Sequence, residues 1–87
     1  MPNIQVDGIE YEVEISENFG VDNVVVWDID ENLIADAVVN HNAEHIGVTA
    51  ADGDNLQYNY FNFEMAQTER GHEVACTELA EWIVSVA

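Results

Sequence analysis

Basic side chains are almost absent from this chain, which has no lysine and a single arginine, Arg70, among 87 residues. Proteins bind nucleic acids largely by neutralising phosphates with Lys and Arg, so the composition excludes direct nucleic-acid binding. The same shortage excludes electrostatic attachment to anionic membranes. The 18 acidic residues give a formal net charge of −17, so we expect the partners to be basic proteins or cations.

Cysteine and long apolar runs are scarce as well. Cys76 is the only cysteine, which excludes a disulfide within the chain and favours a reducing compartment. No run approaches the roughly 18 apolar residues needed to span a bilayer. The first residues show no basic stretch followed by an apolar one, as a signal peptide would. The sequence therefore predicts a cytoplasmic protein.

The chain nevertheless has the material for a folded core. Hydrophobic residues make up 48% of it, which differs from the low hydrophobicity of disordered acidic proteins. The acids are spread through the periodic segments and form no separate acidic tail. We therefore expect one small domain, residues 1–87.

Alternation with a period of two predicts most of the chain as β-strands. Asp7-Gly8 lies between residues 4–6 and 9–15, and Asp-Gly between β-prone runs predicts a hairpin. In residues 9–15 the odd positions are apolar and the even positions are glutamates, as in a half-buried strand. Further strands are predicted at residues 24–29, 33–39, 46–50 and 56–64, and the alanines of 33–39 also allow a short helix there. The apolar phase changes within 56–64, which either a β-bulge near Tyr60 or burial of both strand faces would explain, and we favour the bulge.

The period changes to 3.6 over residues 68–86, which predicts a C-terminal helix. Thr68 could cap this helix, or Gly71 could delay its start to His72. The apolar stripe of the helix is predicted to comprise Ala75, Cys76, Leu79, Trp82, Ile83 and Val86. The fold class is therefore α+β: an antiparallel sheet of five or six strands with one helix packed on one face.

Rows of acids are the first candidate site. Glu10, Glu12 and Glu14 are alternate residues of one strand, about 6.6–6.8 Å apart on one face. Asp28 and Asp30 repeat this spacing on another predicted strand. The exposed arc of the helix is predicted to carry Glu69, Glu73, Glu78 and Glu81. Acids that face one another across strands repel and destabilise a sheet. So many acids without basic neighbours therefore favour two interpretations equally: a functional acidic surface and a merely solvated sheet face.

Two further patterns suggest metal sites, and both are weak. His41-Asn42-Ala43-Glu44-His45 matches H-x-x-E-H, but that signature requires a helix and this segment lies between strand-like runs. Asp28 to Asn32 resembles the start of a calcium loop, but the Gly and Glu required later are Leu33 and Val39. We therefore expect no catalytic metal, no cofactor and no enzymatic activity; adventitious metal binding by His41 and His45, and weak Ca²⁺ or Mg²⁺ binding by an acidic cluster, stay open.

Several other residues are predicted to be structural. Cys76 and His72 fall on the apolar stripe of the helix, where a buried cysteine and a partly buried histidine are expected. Trp27 and Trp82 are predicted to face the core. The edge strand over residues 4–6 could pair two copies of the chain, which would give a homodimer.

Small size, extreme acidity, near-absence of Lys and Arg, and a compact predicted fold resemble the DNA-mimic inhibitors of bacteriophages, including anti-restriction and anti-CRISPR proteins. The resemblance is one of composition across the whole chain and rests on no motif. It implies a protein that occupies the nucleic-acid-binding surface of a host defence protein.

Two alternatives also fit the composition. A small domain from a salt-loving organism would be acidic too, although glutamate exceeds aspartate here and bulky apolar residues are not reduced. An acidic regulatory subunit that covers a basic partner would use the same electrostatics. A halophilic domain would unfold at low salt, whereas a mimic would fold at ordinary ionic strength.

Overall fold

The sheet of this protein is a meander, in which each strand pairs antiparallel with the next one along the chain. The computed structural model describes residues 3–87. The strands are β1 (Asn3–Val6), β2 (Ile9–Asn18), β3 (Val21–Asp28), β4 (Leu33–Asn40), β5 (His45–Ala50) and β6 (Asn55–Leu56). A short 3-10 helix, Met65–Gln67, precedes the helix α1 (Glu69–Val86), which packs on one face of the sheet. The predicted α+β class is confirmed.

The first hairpin forms where Asp-Gly predicts it. Val6 pairs with Ile9, so Asp7 and Gly8 are the two turn residues. Their φ angles are 53° and 79°, the left-handed values that a tight type I′ turn requires. The position of β1 at one edge of the sheet also agrees with the prediction of an edge strand.

The core lies between α1 and one face of the sheet. Val13 pairs with Val26, and Val26 pairs with Ala35, so the alternating positions of three neighbouring strands meet on this face. Within residues 3–87, the opposite face of the sheet carries no helix. The buried core comprises Ile4, Val13, Val24, Val26, Ala35, Ala37, Val39, Val48, Tyr58, Cys76, Leu79, Ala80 and Ile83.

The predicted strand over residues 56–64 is wrong beyond its first residue. Only Asn55 and Leu56 pair with β5, and residues 57–64 leave the sheet. Three of their aromatic rings, those of Tyr58, Phe61 and Phe63, pack against the core instead, and the Tyr58 ring centroid lies 4.9 Å from that of Trp82. The change of apolar phase therefore marks the departure of the chain, and the expected bulge near Tyr60 is absent.

An irregularity of register does occur elsewhere, between β3 and β4. Val26 pairs with Ala35 and Trp27 with Leu33, which leaves Ile34 as the extra residue. Trp27 was predicted to face the core, and this is wrong. It alternates with the buried Val26 and therefore lies on the face without a helix, where it is half-buried.

The helix α1 begins at Glu69, and Thr68 is its N-cap. The Thr68 side chain accepts a hydrogen bond from the Gly71 N–H at 3.0 Å, so Gly71 does not delay the helix. Gly71 is buried there because the helix start packs against the backbone of Met65. The predicted apolar stripe is largely correct, except that Val86 at the last turn is 50% exposed.

Candidate functional site

The uncovered face of the sheet carries the first predicted row of acids. Glu10, Glu12 and Glu14 alternate along β2 with Tyr11 and Val13, which point toward α1. Glu10 and Glu14 are exposed and Glu12 is half-buried. The hydrogen-bonded strand fixes the backbone positions of these glutamates, so only their side chains need ordering when a partner binds.

The strand register adds two more side chains to this face. Glu14 pairs with Val25, and Val25 pairs with Asp36, so a fourth acid lies two strands away from Glu14. Glu12 pairs with Trp27. The face therefore combines carboxylates with a partly exposed indole ring, and it contains neither lysine nor arginine.

Asp28 and Asp30 do not continue this row. The strand ends at Asp28, which pairs with Tyr11 and so belongs to the opposite face, while Asp30 lies in the following turn. The Asp28 carboxylate accepts hydrogen bonds from the backbone N–H groups of Asp30 and Asn32, each at 2.9 Å, and from the Asn32 side chain. The hydrogen bonds from Asn32 lower the pKa of Asp28 below its ordinary value, and the bond from the Asn32 backbone N–H has a larger effect than the bond from its side chain. Asp28 therefore shapes the turn.

The helix acids form a separate patch. All four predicted residues are exposed, as expected: Glu69, Glu73, Glu78 and Glu81. The buried side of α1 contacts the sheet, so these glutamates lie outside that contact, with Glu69 at its edge beside Glu17. The row on β2 and the helix patch therefore lie on opposite sides of the molecule, and one flat partner surface cannot contact both.

A second constellation, which the sequence analysis did not assemble, joins three distant segments. Asp22 of β3 is the only charged or polar residue that is buried within residues 3–87, with 3% of its surface exposed. Its Oδ2 atom lies 2.5 Å from Nε2 of His41 and 2.6 Å from Nε2 of His72. The ligating atoms of the three side chains all lie within 4.8 Å of one another, so these residues could hold a metal ion.

Local structure explains why these side chains meet. Asp22 alternates with Val24 and Val26 and therefore points to the helix side of β3. His41 continues the alternation of β4, and its backbone N–H donates to the carbonyl of Gly20 at 2.9 Å. This bond joins the β4–β5 turn to the β2–β3 turn at one end of the sheet.

His72 enters the cluster from the first turn of α1. Its backbone N–H donates to the Thr68 carbonyl at 2.8 Å, which continues the capped helix start. The other ring nitrogen of His72, Nδ1, lies 3.4 Å from Oε1 of Glu17. The His72 ring therefore has a carboxylate at each of its two nitrogens.

Cys76 lies behind the cluster, one helical turn after His72. Its Sγ atom is 3.8 Å from Nε2 of His72 and is completely buried. Burial, followed by the negative charges of Asp22 and Glu17, raises the pKa of the Cys76 thiol to about 12. The predicted role of Cys76 as a small core residue agrees with this burial.

The cluster borders solvent through an open cavity of about 510 Å³, lined by Glu17, Gly20, Asp22, His41, Ala66, Gln67, Thr68, Glu69 and His72. On the other side, Phe61 and Phe63 contact the His41 ring edge-on, each with a centroid distance of 5.9 Å. The imidazole of His41 is thus held between aromatic rings and Asp22.

The H-x-x-E-H segment forms no site of its own. Residues 41–44 are a turn rather than a helix, and His45 begins β5 opposite Asn40. His41 points to the helix side of the sheet, while His45 is exposed on the uncovered face. The two histidines therefore cannot bind one ion together.

A signal for the Asp22 cluster exists in the sequence. Asp22, His41 and His72 are each in phase with the apolar residues of their own element, where a polar side chain needs a partner. Each position alone indicates an ordinary buried polar residue. Only the packing of α1 on the sheet brings the three together.

No protein-family model matches the chain, and searches of curated proteins and of solved structures find no match. Among residues 3–87, no helix is long and apolar enough to cross a membrane.

Proposed function

We propose that this protein is a nucleic-acid mimic of the anti-CRISPR or anti-restriction type. It would bind the basic surface of a host defence protein, such as a CRISPR effector or a restriction complex, and block its nucleic-acid binding. The observation that carries the proposal is the uncovered sheet face, where Glu10, Glu12 and Glu14 stand in a row without a basic neighbour. Inhibition of this kind requires no catalysis and no cofactor.

Electrostatics supports this choice. Acids that face water without compensating cations lower the stability of the isolated fold, and a basic partner would remove that repulsion. Opposite potentials also speed encounter by factors of about 10–10³. The ion pairs formed by residues 3–87 all involve histidine, so no cation of these residues neutralises the β2 row, and the Glu10 carboxylate accepts one hydrogen bond from the Asn3 side chain at 2.9 Å.

Trp27 gives the face a second kind of contact. It lies beside Glu12 in the register and is partly exposed. An arginine that pairs with Glu12 could also stack on this indole ring, a cation–π contact that is worth about 0.5–2 kcal/mol. Trp and Arg are common at the energetic centres of interfaces, so we expect Glu12 and the neighbouring Trp27 to form the energetic centre of this interface.

The proposed partner surface extends over two patches. The β2 row is the first, and the helix acids Glu69, Glu73, Glu78 and Glu81 are the second. Since they lie on opposite sides of the molecule, a target would enclose the protein in a groove or bind two copies of it. Asp28 and Asp30, at the end of β3, would contribute at the rim. In this proposal the protein acts in the host cytoplasm.

The test is capture of partners from a bacterial lysate at low and high salt, followed by release with added DNA or RNA. We expect the captured protein to be a nucleic-acid-binding protein that duplex DNA, single-stranded DNA or RNA displaces. The triple variant Glu10→Gln, Glu12→Gln and Glu14→Gln should no longer capture this partner. Its free energy of unfolding should stay the same or rise, because repulsion among the carboxylates falls.

The matched control changes the same number of charges elsewhere, at exposed turn residues: Glu31→Gln, Asp52→Asn and Asp54→Asn. This control should keep the capture. Equal loss in both triple variants would show that net charge alone attracts the partner. Failure to recover any nucleic-acid-binding protein at low salt would overturn the proposal.

A further inference from the structure

We propose that Asp22, His41 and His72 bind one divalent transition-metal ion of the zinc class. The site supplies two imidazole nitrogens and one carboxylate, a ligand set that proteins use for zinc and for non-haem iron. None of its ligands belongs to the β2 row or to the helix patch, and Glu69 is the one member of the helix patch that lines the cavity beside it.

The distances suit such an ion. Zinc binds imidazole nitrogen and carboxylate oxygen at about 2.0–2.2 Å, so tetrahedral ligand atoms lie about 3.3 Å from one another. Both Nε2 atoms now lie 2.5–2.6 Å from Oδ2 of Asp22. An ion would therefore require each Nε2 atom to move away from Oδ2 by under about 1 Å, while the two Nε2 atoms, which lie within 4.8 Å of each other, adopt the same tetrahedral spacing.

The surroundings of His72 are compatible with metal binding. Its Nε2 faces Asp22 and its Nδ1 lies 3.4 Å from Oε1 of Glu17. With an ion at Nε2, the Nε2 lone pair would ligate and Nδ1–H would point toward the Glu17 carboxylate. Metal-bound histidines usually donate their second N–H to a carboxylate or carbonyl in this way.

The surroundings decide what else the ion could bind. Three protein ligands leave at least one position open, and the cavity of about 510 Å³ beside the cluster leads from solvent to it. Water or a small anionic ligand could occupy that position. Two imidazoles select against Ca²⁺ and Mg²⁺, which prefer oxygen ligands.

The ion would also act on the fold, because its ligands come from β3, the β4–β5 turn and α1. A metal that binds only the folded state raises its stability by mass action. We therefore expect zinc to raise the melting temperature of the protein, and we expect an excess of Mg²⁺ to leave this effect in place.

The experiment is a titration of chelator-treated protein with Co²⁺ and Zn²⁺ at physiological salt in the presence of excess Mg²⁺, which saturates the general acidic surface. We expect one ion per chain and a Co²⁺ absorption spectrum of a nitrogen- and oxygen-ligated site. His41→Gln and His72→Gln should each weaken binding by more than about 100-fold, because both residues ligate the ion directly. Loss of a residue that only hydrogen-bonds to a ligand already weakens metal binding about 10–100-fold. Glu17→Gln should weaken it by about 10-fold.

The chain offers its own control in His45, the one exposed histidine outside the cluster, and His45→Gln should bind as the unchanged protein does. Nuclear magnetic resonance of the unchanged protein removes any dependence on the folding of variants: Zn²⁺ should shift the imidazole signals of His41 and His72 and leave those of His45 unchanged. Equal affinity in the His41→Gln and His45→Gln proteins, or zinc shifts at His45 alone, would overturn the proposal.

Discussion

The Nε2 atom of His72 in α1 lies 2.6 Å from Oδ2 of Asp22 in β3, although 50 residues separate the two in the chain. This contact ties the first turn of the helix to the start of β3, at one end of the sheet. It also satisfies the one buried charged residue of the described chain. The helix start is therefore held by a polar contact in addition to its apolar stripe.

We expect His72→Ala to lower the free energy of unfolding by about 1–3 kcal/mol, because the buried Asp22 loses a hydrogen-bond partner. Urea unfolding in the presence of a chelator would measure this effect without any metal. His45→Ala, at an exposed position, is the control and should change stability by less than about 0.5 kcal/mol. Equal stability of the two variants would mean that the His72–Asp22 contact contributes nothing to folding.

Gly71→Ala should destabilise the protein although alanine favours helices by about 1 kcal/mol over glycine. A Cβ atom at this position would lie 1.9 Å from the Met65 carbonyl oxygen and 2.7 Å from Oγ1 of Thr68. We expect a net loss of about 1–3 kcal/mol, as in other overpacked sites, measured by thermal or urea unfolding.

Gly47→Ala is the matched control for that substitution. A Cβ atom at Gly47 in β5 meets nothing within 4 Å. This change should be neutral or should stabilise the protein by about 0.4–1 kcal/mol, through a smaller entropy of the unfolded chain. Equal stability of the Gly71→Ala and Gly47→Ala proteins would contradict the statement that the Met65 carbonyl leaves no room for a Cβ atom at position 71.

Phe19→Asn should stabilise the protein by about 1 kcal/mol. Phe19 has a φ of 50° in the β2–β3 turn and is 96% exposed, so its ring gains nothing from burial. Left-handed backbone costs an ordinary residue about 1–2 kcal/mol, and Asn-Gly is the favoured pair for this type of turn. Thermal unfolding would measure the gain.

The control for Phe19→Asn is Ile29→Asn, which also removes an exposed apolar side chain but has no positive φ. It should change stability by less than about 0.5 kcal/mol. An equal gain in both variants would attribute the effect to lower surface hydrophobicity rather than to relief of backbone strain.

Asp28→Ala should destabilise the protein at neutral pH and lose this effect in acid. The pKa of Asp28 is lowered in the folded state, first by its bond from the Asn32 backbone. A lowered pKa means that the carboxylate stabilises the fold at pH values above its pKa in the unfolded chain, about 3.9. This contribution disappears as the pH falls through the pKa of Asp28 in the folded protein. Unfolding curves of both proteins from pH 7 to pH 2 should therefore converge.

Asp30→Ala provides the comparison for Asp28→Ala. Asp30 is an exposed acid of the same turn, and it takes part in the network only through its backbone N–H. We expect little change in stability at any pH. A stability gap for Asp28→Ala that persists unchanged at pH 2 would show that the carboxylate charge is not what stabilises the turn.

Local patterns predict much of this fold. The alternation of apolar and acidic residues in β2 correctly places Glu10, Glu12 and Glu14 away from the core, and Asp7-Gly8 correctly predicts the first hairpin. Over residues 57–64 the same reasoning fails, because aromatic residues are common both in strands and in irregular segments that pack over a core. Only the packing of Tyr58 on Trp82 distinguishes these cases.

The sequence by itself determined the acidic surface, because charge and period-two alternation are properties of neighbouring residues. Tertiary structure alone decided which polar residues meet inside. Asp22, His41 and His72 lie on three different elements, and each is in phase with apolar neighbours. Their convergence depends on the position where α1 crosses the sheet, which local periodicity does not specify.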